Sequence, residues 1–297
     1  MKTQGKSRAA AWVEAIRPRT LPVSCAGVLA GTACALSGGY FRWLPACICL
    51  LFAILAQIVS NFANEYYDFR NGLDRKGREG FRRGVTEGDI SPQAMKRATY
   101  GLLAATAAVG CCLIPFGGWL LVAVGAAIAL FAIAYSAGPY PLSHHGLGDV
   151  AVVFFFGIVP VYFTAWVQLG AAPSPYTLAI GVATGLLAAN VLIVNNYRDR
   201  DDDLAVGKRT TAVIFGRRAM GALYLAAAWC AVILTAAVLL ACGDTVWAGL
   251  ILLSGIMPTM LQRRIVRRSG AALNPLLGKT AAYVLLYAIL LLLAAIF

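Results

Sequence analysis

Charged side chains are scarce in this 297-residue sequence. They make up 13% of it, against about 25% in a soluble domain. Hydrophobic residues make up 60%, and the mean hydropathy is +0.74. This balance excludes a disordered chain, which lacks apolar residues. It also excludes a coiled coil, which needs charged flanks beside its apolar seam. The net charge of +12 would suggest a nucleic-acid partner in a soluble protein, but a basic domain of that kind is not this apolar, and no nucleic-acid partner is expected. Histidine is nearly absent, at 2 residues. The 8 cysteines form no C-x-x-C pair and have no histidine close in sequence. They read as small helix-packing residues rather than metal ligands or disulfides.

Long apolar runs are what the sequence has in quantity. A helix needs about 20 apolar residues to cross a bilayer core. Nine segments approach that length: Leu21–Leu36, Leu44–Phe62, Ala94–Ile114, Trp119–Tyr135, Val150–Leu169, Tyr176–Asn196, Met220–Cys242, Thr245–Met260 and Pro275–Phe297. The expected fold class is an all-α polytopic membrane protein with nine transmembrane helices in a single domain over residues 1–297. Pro18 and Pro22 suggest a turn before the first helix that lays Trp12 to Ile16 on the headgroups. A soluble helical protein is excluded because its helices carry a polar stripe, and Leu120–Ile133 and Ala281–Phe297 have none. Lys2, Lys6 and Arg8 give a basic start, but Glu14, Arg17 and Arg19 precede any apolar run, so no cleavable signal peptide is expected.

Basic residues are missing from one side of this layout. With the N-terminus inside, the cytoplasmic segments hold 24 of the 25 Lys and Arg, and the outer loops hold only Arg42. The positive-inside rule therefore predicts an inside N-terminus and an outside C-terminus. Twelve of the 13 Asp and Glu fall on the same inner side, with only Asp244 outside. The rule says little about acids, so something besides topology gathers them there.

They form two clusters at helix ends. The first runs from Asn61 to Asp74 at the end of the second segment. Its Asn64 and Asp68 are four apart on one helix face, and Asp74 follows Gly72, where the helix should have ended. The second runs from Asn195 to Asp203 at the end of the sixth. There Asn195, Asp199 and Asp203 share a face, with Lys208 and Arg209 just beyond. Carboxylates gathered at one face repel each other, and acids at a helix C-terminus oppose the macrodipole. A solvated helix end would explain one cluster; two with the same Asn-x-x-x-Asp spacing call for a use. Mg2+ takes oxygen ligands and binds through one or two carboxylates plus substrate phosphates. Two facing clusters would clamp a diphosphate, with Lys208, Arg198 or Arg209 neutralising it as it leaves.

At these residues the sequence resembles the UbiA superfamily of intramembrane prenyltransferases, and within it the members that act on a dihydroxynaphthoate. Three stretches carry the resemblance. One is Asn64-Glu65-Tyr66-Tyr67-Asp68 with Gly72 and Asp74, where Glu65 stands at a position more often Asp. Another is Tyr135-Ser136-Ala137-Gly138-Pro139-Tyr140-Pro141-Leu142 followed by Gly146-Leu147-Gly148-Asp149. The third is Asn195-Asn196-Tyr197-Arg198-Asp199 with Asp203 and Gly207-Lys208-Arg209-Thr210. The match covers about two-thirds of the chain from Arg17; the last three segments match in hydropathy alone.

The resemblance implies transfer of a polyprenyl group from polyprenyl diphosphate to 1,4-dihydroxy-2-naphthoate. It implies one Mg2+ held by Asn64, Asp68 and Asp74 and another by Asn195, Asp199 and Asp203, with Asp68 and Asp199 central to catalysis. Asn64, Asn195, Asn196, Arg198, Lys208 and Arg209 would bind the diphosphate substrate. Arg19 is the candidate partner for the naphthoate carboxylate, and Tyr135 and Asp149 for its hydroxyls. Tyr66, Tyr67 and Phe154 to Phe156 would wall the reacting carbocation, although a lipid-facing or packing role is favoured for the Phe154–Phe156 run. The expected location is a plasma (inner) membrane with the site facing the cytoplasm. Chain length, oligomeric state, the roles of His144 and His145, and whether Arg78, Arg82 and Arg83 touch diphosphate are left open. Gly72, Gly77, Gly80, Gly84 and Gly88 suggest a lid between the second and third segments. A cation-coupled transporter is disfavoured, because its acids would lie near the bilayer midplane. A CDP-alcohol phosphotransferase would need a D-G-x-x-A-R motif, which is missing.

Overall fold

The computed structural model describes residues 7–297, so Lys2 and Lys6 of the basic start lie outside the described residues. Ten main helices follow in order: α1 (Arg8–Ile16), α2 (Leu21–Ser37), α3 (Trp43–Arg70), α4 (Pro92–Cys111), α5 (Leu120–Ala134), α6 (Gly148–Leu169), α7 (Pro175–Ala205), α8 (Thr211–Ala241), α9 (Thr245–Ile265) and α10 (Asn274–Ile296). There is no strand among the described residues. Each of the nine expected apolar segments lies within one of α2 to α10, give or take a few terminal residues. Six of these helices (α3 and α6 to α10) are long and apolar enough to cross a membrane, and the bent pair of α1 and α2 makes up to seven. α5 is too short by that measure, at 15 residues. The chain is an all-α, multi-pass membrane fold.

Three helices depart from the expected segments for local reasons. Residues Trp12 to Ile16 lie in a helix of their own, α1, which packs one side on the bundle: Ala11 and Ala15 are buried and Trp12 meets Phe62 edge-on at 5.4 Å. The chain then bends 43° into α2, with Arg17 at φ 57. α8 begins at Thr211, but Gly216 is non-helical (φ 77, ψ 164), so the continuous helix starts near the expected Met220. α6 contains a π-helical stretch over Val153–Ile158, a distortion often found beside functional sites.

α7 is the centre of the bundle and the most buried of the spanning helices. It packs with α2, α8 and α10 around one core that includes Leu187, Ile193, Val194, Tyr224 and Tyr287. Buried polar side chains pair across the helices: Asn190 donates to the Tyr224 carbonyl at 3.0 Å, and Thr235 and Tyr287 share a 2.6 Å hydrogen bond. In an apolar medium such pairs have no water to replace them. The approach of α6 to α7 depends on glycine. A Cβ on Gly157 would lie 2.3 Å from the Gly185 Cα, and one on Gly185 would lie 2.4 Å from the Val153 carbonyl oxygen. The Gly181-x-x-x-Gly185 stripe thus lets the π-helical segment sit directly on α7.

Gly185→Leu should therefore separate α6 from α7 and destabilise the detergent-purified protein by the roughly 1–3 kcal/mol typical of overpacking, read as a lower thermal unfolding temperature. Gly101→Leu, where an added Cβ meets nothing, should leave it unchanged. Equal melting of both variants would contradict this packing.

Candidate active site

α3 and α7 are 28 and 31 residues long, well beyond the roughly 20 needed to span. Their surplus turns carry the two acidic clusters past the apolar rim. On α3, Asn64 Nδ2 donates to Asp68 Oδ2 at 3.0 Å and to Ser136 Oγ at 2.9 Å. Its Oδ1 accepts from Arg17 at 2.7 Å and from Arg83 at 3.0 Å. Asn64 is thus a fixed post that orients the Asp68 carboxylate. Asp68 also accepts from Lys208 Nζ at 3.3 Å and lies 3.4 Å from His144 Nε2. α3 ends at Arg70, and Gly72 (φ 70) turns the chain so that Asp74 comes back into the site. The Asp74 side chain is 1% exposed. Burial pushes its carboxyl up to about 6, against the pull of Arg78.

At the end of α7, Asp199 accepts two hydrogen bonds from its neighbour Arg198, at 2.7 and 2.8 Å. Arg198 is itself spent on Asn195 Oδ1 and Asn274 Oδ1, both at 2.8 Å, and lies over the Phe81 ring. Asp203 accepts from Thr210 at 3.4 Å. Asp201 and Asp202 point away: the first pairs with Arg200 and Arg217, the second with Arg75 and the Glu79 backbone N–H.

The two clusters meet through one side chain that sequence reasoning left undecided. Arg78 donates to Asp74 through one nitrogen and to Asp199 through the other, the latter at 2.8 Å. Burial works against its charge, but Asp199, Asp74, Asp68 and Asp203 outweigh that and raise its pKa. Lys208 is held charged in the same way, burial being outweighed by Asp68 and Asp203. Gly80 allows the loop to lie this close, since a Cβ there would sit 2.8 Å from Arg198 Nη2 and 2.9 Å from Asp199 Oδ1. Glu65 anchors the far end of the loop by accepting from the Val85 N–H at 3.0 Å. Arg83 belongs to the site, whereas Arg82 pairs with Asp89.

Around these groups is a cavity of about 140 Å³, lined by Arg17, Asn64, Arg78, Asn195, Asn196, Asp199, Asp203 and Lys208 on its charged side. Phe131, Tyr135 and Phe156 line its other wall. Phe131 and Phe156, with Gln57 and Ser60, also line a second cavity of about 350 Å³ between α2, α3, α4, α5 and α6, which is otherwise almost entirely apolar. A polar chamber therefore adjoins an apolar one, with aromatic faces at the junction. Asp149 stands behind the polar chamber. Thr211 donates to its Oδ2 at 2.5 Å, and its Oδ1 is buried without a hydrogen bond.

Several expected residues sit elsewhere. Arg19 is exposed and lies over Phe81 at 5.1 Å; the arginine of that segment that lines the cavity is Arg17. The Arg209 side chain is exposed, and its backbone N–H bonds the His144 carbonyl. Tyr66 packs with Trp12 and Phe62, and Tyr67 bonds Tyr100. Phe154 is exposed, while Phe155 stacks on Phe131 at 3.8 Å. Phe131 was not singled out from sequence, Arg17 and Ser136 were noted without a site role, and Arg83 was left undecided. The one available signal was that Phe131 and Tyr135 share a helix face four residues apart.

The donor set suits a hard divalent cation. Every anionic group in it is a carboxylate, and one Asp74 oxygen is buried without a hydrogen bond. Among the described residues no three His, Cys, Asp or Glu converge tightly enough to hold an ion unaided. Mg2+ has no need of such a cage, since it keeps waters and uses substrate phosphates. The oxygens of Asn64 and Asn195 are engaged by guanidinium groups, as the Asp199 carboxylate is by Arg198 and Arg78.

Comparison with known proteins agrees with this architecture. The chain is 36% identical to the 1,4-dihydroxy-2-naphthoate octaprenyltransferase of Escherichia coli, over 96% of this chain and 95% of that one. It is 35% identical to the enzyme of the same name from Mycobacterium tuberculosis, over 94% of each. A UbiA homolog from Archaeoglobus fulgidus bound to GPP and Mg2+ superposes with a TM-score of 0.67 at 20% identity, covering 95% of this chain and 99% of that one. The model of the UbiA prenyltransferase family matches residues 24–286, reaching into α10 and so beyond the stretch whose motifs are recognisable by eye. The chain belongs to the UbiA prenyltransferase family.

Proposed function

We propose that this protein transfers a polyprenyl group from polyprenyl diphosphate to 1,4-dihydroxy-2-naphthoate, releasing diphosphate and CO2 and giving demethylmenaquinol. The observation that carries the reading is the polar chamber lined by Asn64 from one helix end and by Asp199 and Asp203 from the other, adjoining an apolar chamber through aromatic faces. The names of relatives 36% and 35% identical over nearly the whole chain supply the acceptor. Asp68, Asp74, Asp199 and Asp203 would hold Mg2+, which when bound supplies electrostatic stabilisation to the departing diphosphate.

The chain's own groups do the rest. Asn64 and Arg198 hold Asp68 and Asp199 in orientation. Lys208 and Arg78 lie where a diphosphate bridging the clusters would need cations. The apolar chamber takes the prenyl chain and keeps water from the allylic cation formed as the C–O bond breaks. Phe131, Tyr135 and Phe156 offer ring faces to that cation. The ring carbon bearing the carboxylate attacks it, and loss of CO2 returns an electron pair to the ring. Arg17, which lines the chamber, would meet the naphthoate carboxylate in place of the exposed Arg19, and Tyr135 would meet a ring hydroxyl, with Asp149 behind it holding Thr211. We further infer nine membrane crossings in a plasma (inner) membrane, with the N-terminus and the site on the cytoplasmic side.

Asp68→Asn and Asp199→Asn should each lower prenyl transfer by about 10²–10³-fold, as for loss of one electrostatic contact to the departing group, in protein that still elutes as a folded species. Near-normal turnover in either would sink the carboxylate assignment. Incubating the protein with radiolabelled polyprenyl diphosphate and each aromatic acceptor should label only the naphthoate product; labelling of 4-hydroxybenzoate alone would overturn the acceptor. Ala126→Phe, on the apolar chamber wall, should reduce use of long prenyl diphosphates while sparing short ones, and an equal loss for both would argue against a chain-binding role. An alkaline phosphatase fused after Phe297 should be active and one inserted at Lys76 inactive; the reverse pattern would invert the orientation.

A further inference from the structure

Arg78 does something that the reading above does not require. It bridges Asp74 and Asp199 directly and lies within the field of Asp68 and Asp203. Its fork-shaped guanidinium suits two carboxylates at once, which a lysine ammonium does less well. The wider site is also close to neutral as built. Five carboxylates (Asp68, Asp74, Asp199, Asp203 and Glu65) stand against Arg17, Arg78, Arg83, Arg198 and Lys208. A dication added alone would place uncompensated positive charge among these arginines. Added together with a diphosphate, it would not, and Arg78 would find phosphate oxygens as replacement partners.

We propose that Arg78 is a built-in counter-ion of the site: its guanidinium and a divalent cation compete for the carboxylates of Asp74 and Asp199, so the cation enters with the diphosphate rather than ahead of it. This rests on the metal-assisted reading of the site. It gives the loop after α3 a definite task. The turn at Gly72 and the close approach at Gly80 deliver a cation that holds two repelling helix ends together and yields its place only when an anion arrives. It also makes cation and diphosphate affinities reciprocally coupled, as any shared charge balance must.

The test is Mn2+ binding to the purified full-length protein, followed by electron paramagnetic resonance with and without inorganic diphosphate, with Mn2+–diphosphate in protein-free buffer subtracted. Wild type should bind Mn2+ weakly alone and at least about 10-fold more tightly with diphosphate. Arg78→Gln should bind Mn2+ alone about 10-fold more tightly than wild type, since removing one positive charge a few ångströms away is worth at least that much. It should also lose most of the diphosphate dependence. Arg78→Lys, which keeps the charge but not the bridge, should show a smaller tightening; it decides the matter if Arg78→Gln does not purify folded. Unchanged or weaker Mn2+ binding in a folded Arg78 variant overturns the proposal. Asp199→Asn separates the two ideas: if it too leaves Mn2+ binding untouched, the metal reading itself fails, whereas a loss there without tightening at Arg78 overturns only the counter-ion role.

Discussion

The structure depends on the repulsion between two groups of carboxylates brought face to face at the rim of a membrane bundle. Four acids in a buried setting cost far more than the same acids in water, because the surrounding medium screens them little. Arg78 joins the groups from a loop, Arg198 clamps Asp199 from the adjacent position on α7, and Lys208 reaches Asp68 from the chain after it. The fold around them serves to keep these cations in place. Phe81 lies between Arg19 and Arg198, and Glu79 ties the same loop to the Ala271 N–H at 3.0 Å.

Below the rim, packing rather than charge decides the arrangement. α7 carries the second cluster, and its position is set by glycines that allow α6 to touch it backbone to backbone. The π-helical stretch of α6 falls at this contact and carries Phe156, which lines both the charged chamber and the apolar one. One helix contact therefore seats both α7, which bears Asp199 and Asp203, and the Phe156 wall of the chamber. This is how a bundle with little charge can concentrate it at one place.

Much of this was legible beforehand. The helix on which Asn64 and Asp68 share a face, and the one on which Asn195, Asp199 and Asp203 do, are where the spacing put them. Asp74 does follow a helix end near Gly72. The reading went astray where two residues of one type lay close together. Arg17 and Arg19 are equivalent in any linear pattern, yet a left-handed residue at Arg17 and a 43° bend put one in the cavity and the other outside it. Tyr66 and Tyr67 adjoin the motif but face α1 and α4, while Phe131, far from any acid in sequence, lines the site.

The fold class and the register of the acids on their helices were readable from the chain alone. Both follow from hydropathy and helical period, which act over one turn or one span. Only the three-dimensional packing settles which cation faces the acids, which aromatic faces meet the cavity, and that Asn64 orients Asp68 while its own oxygen is taken by Arg17 and Arg83. Arg78 and Asp199 are 121 residues apart. No local period relates them, and only the packing of α3 and α7, with the loop folded between, makes them one ion pair.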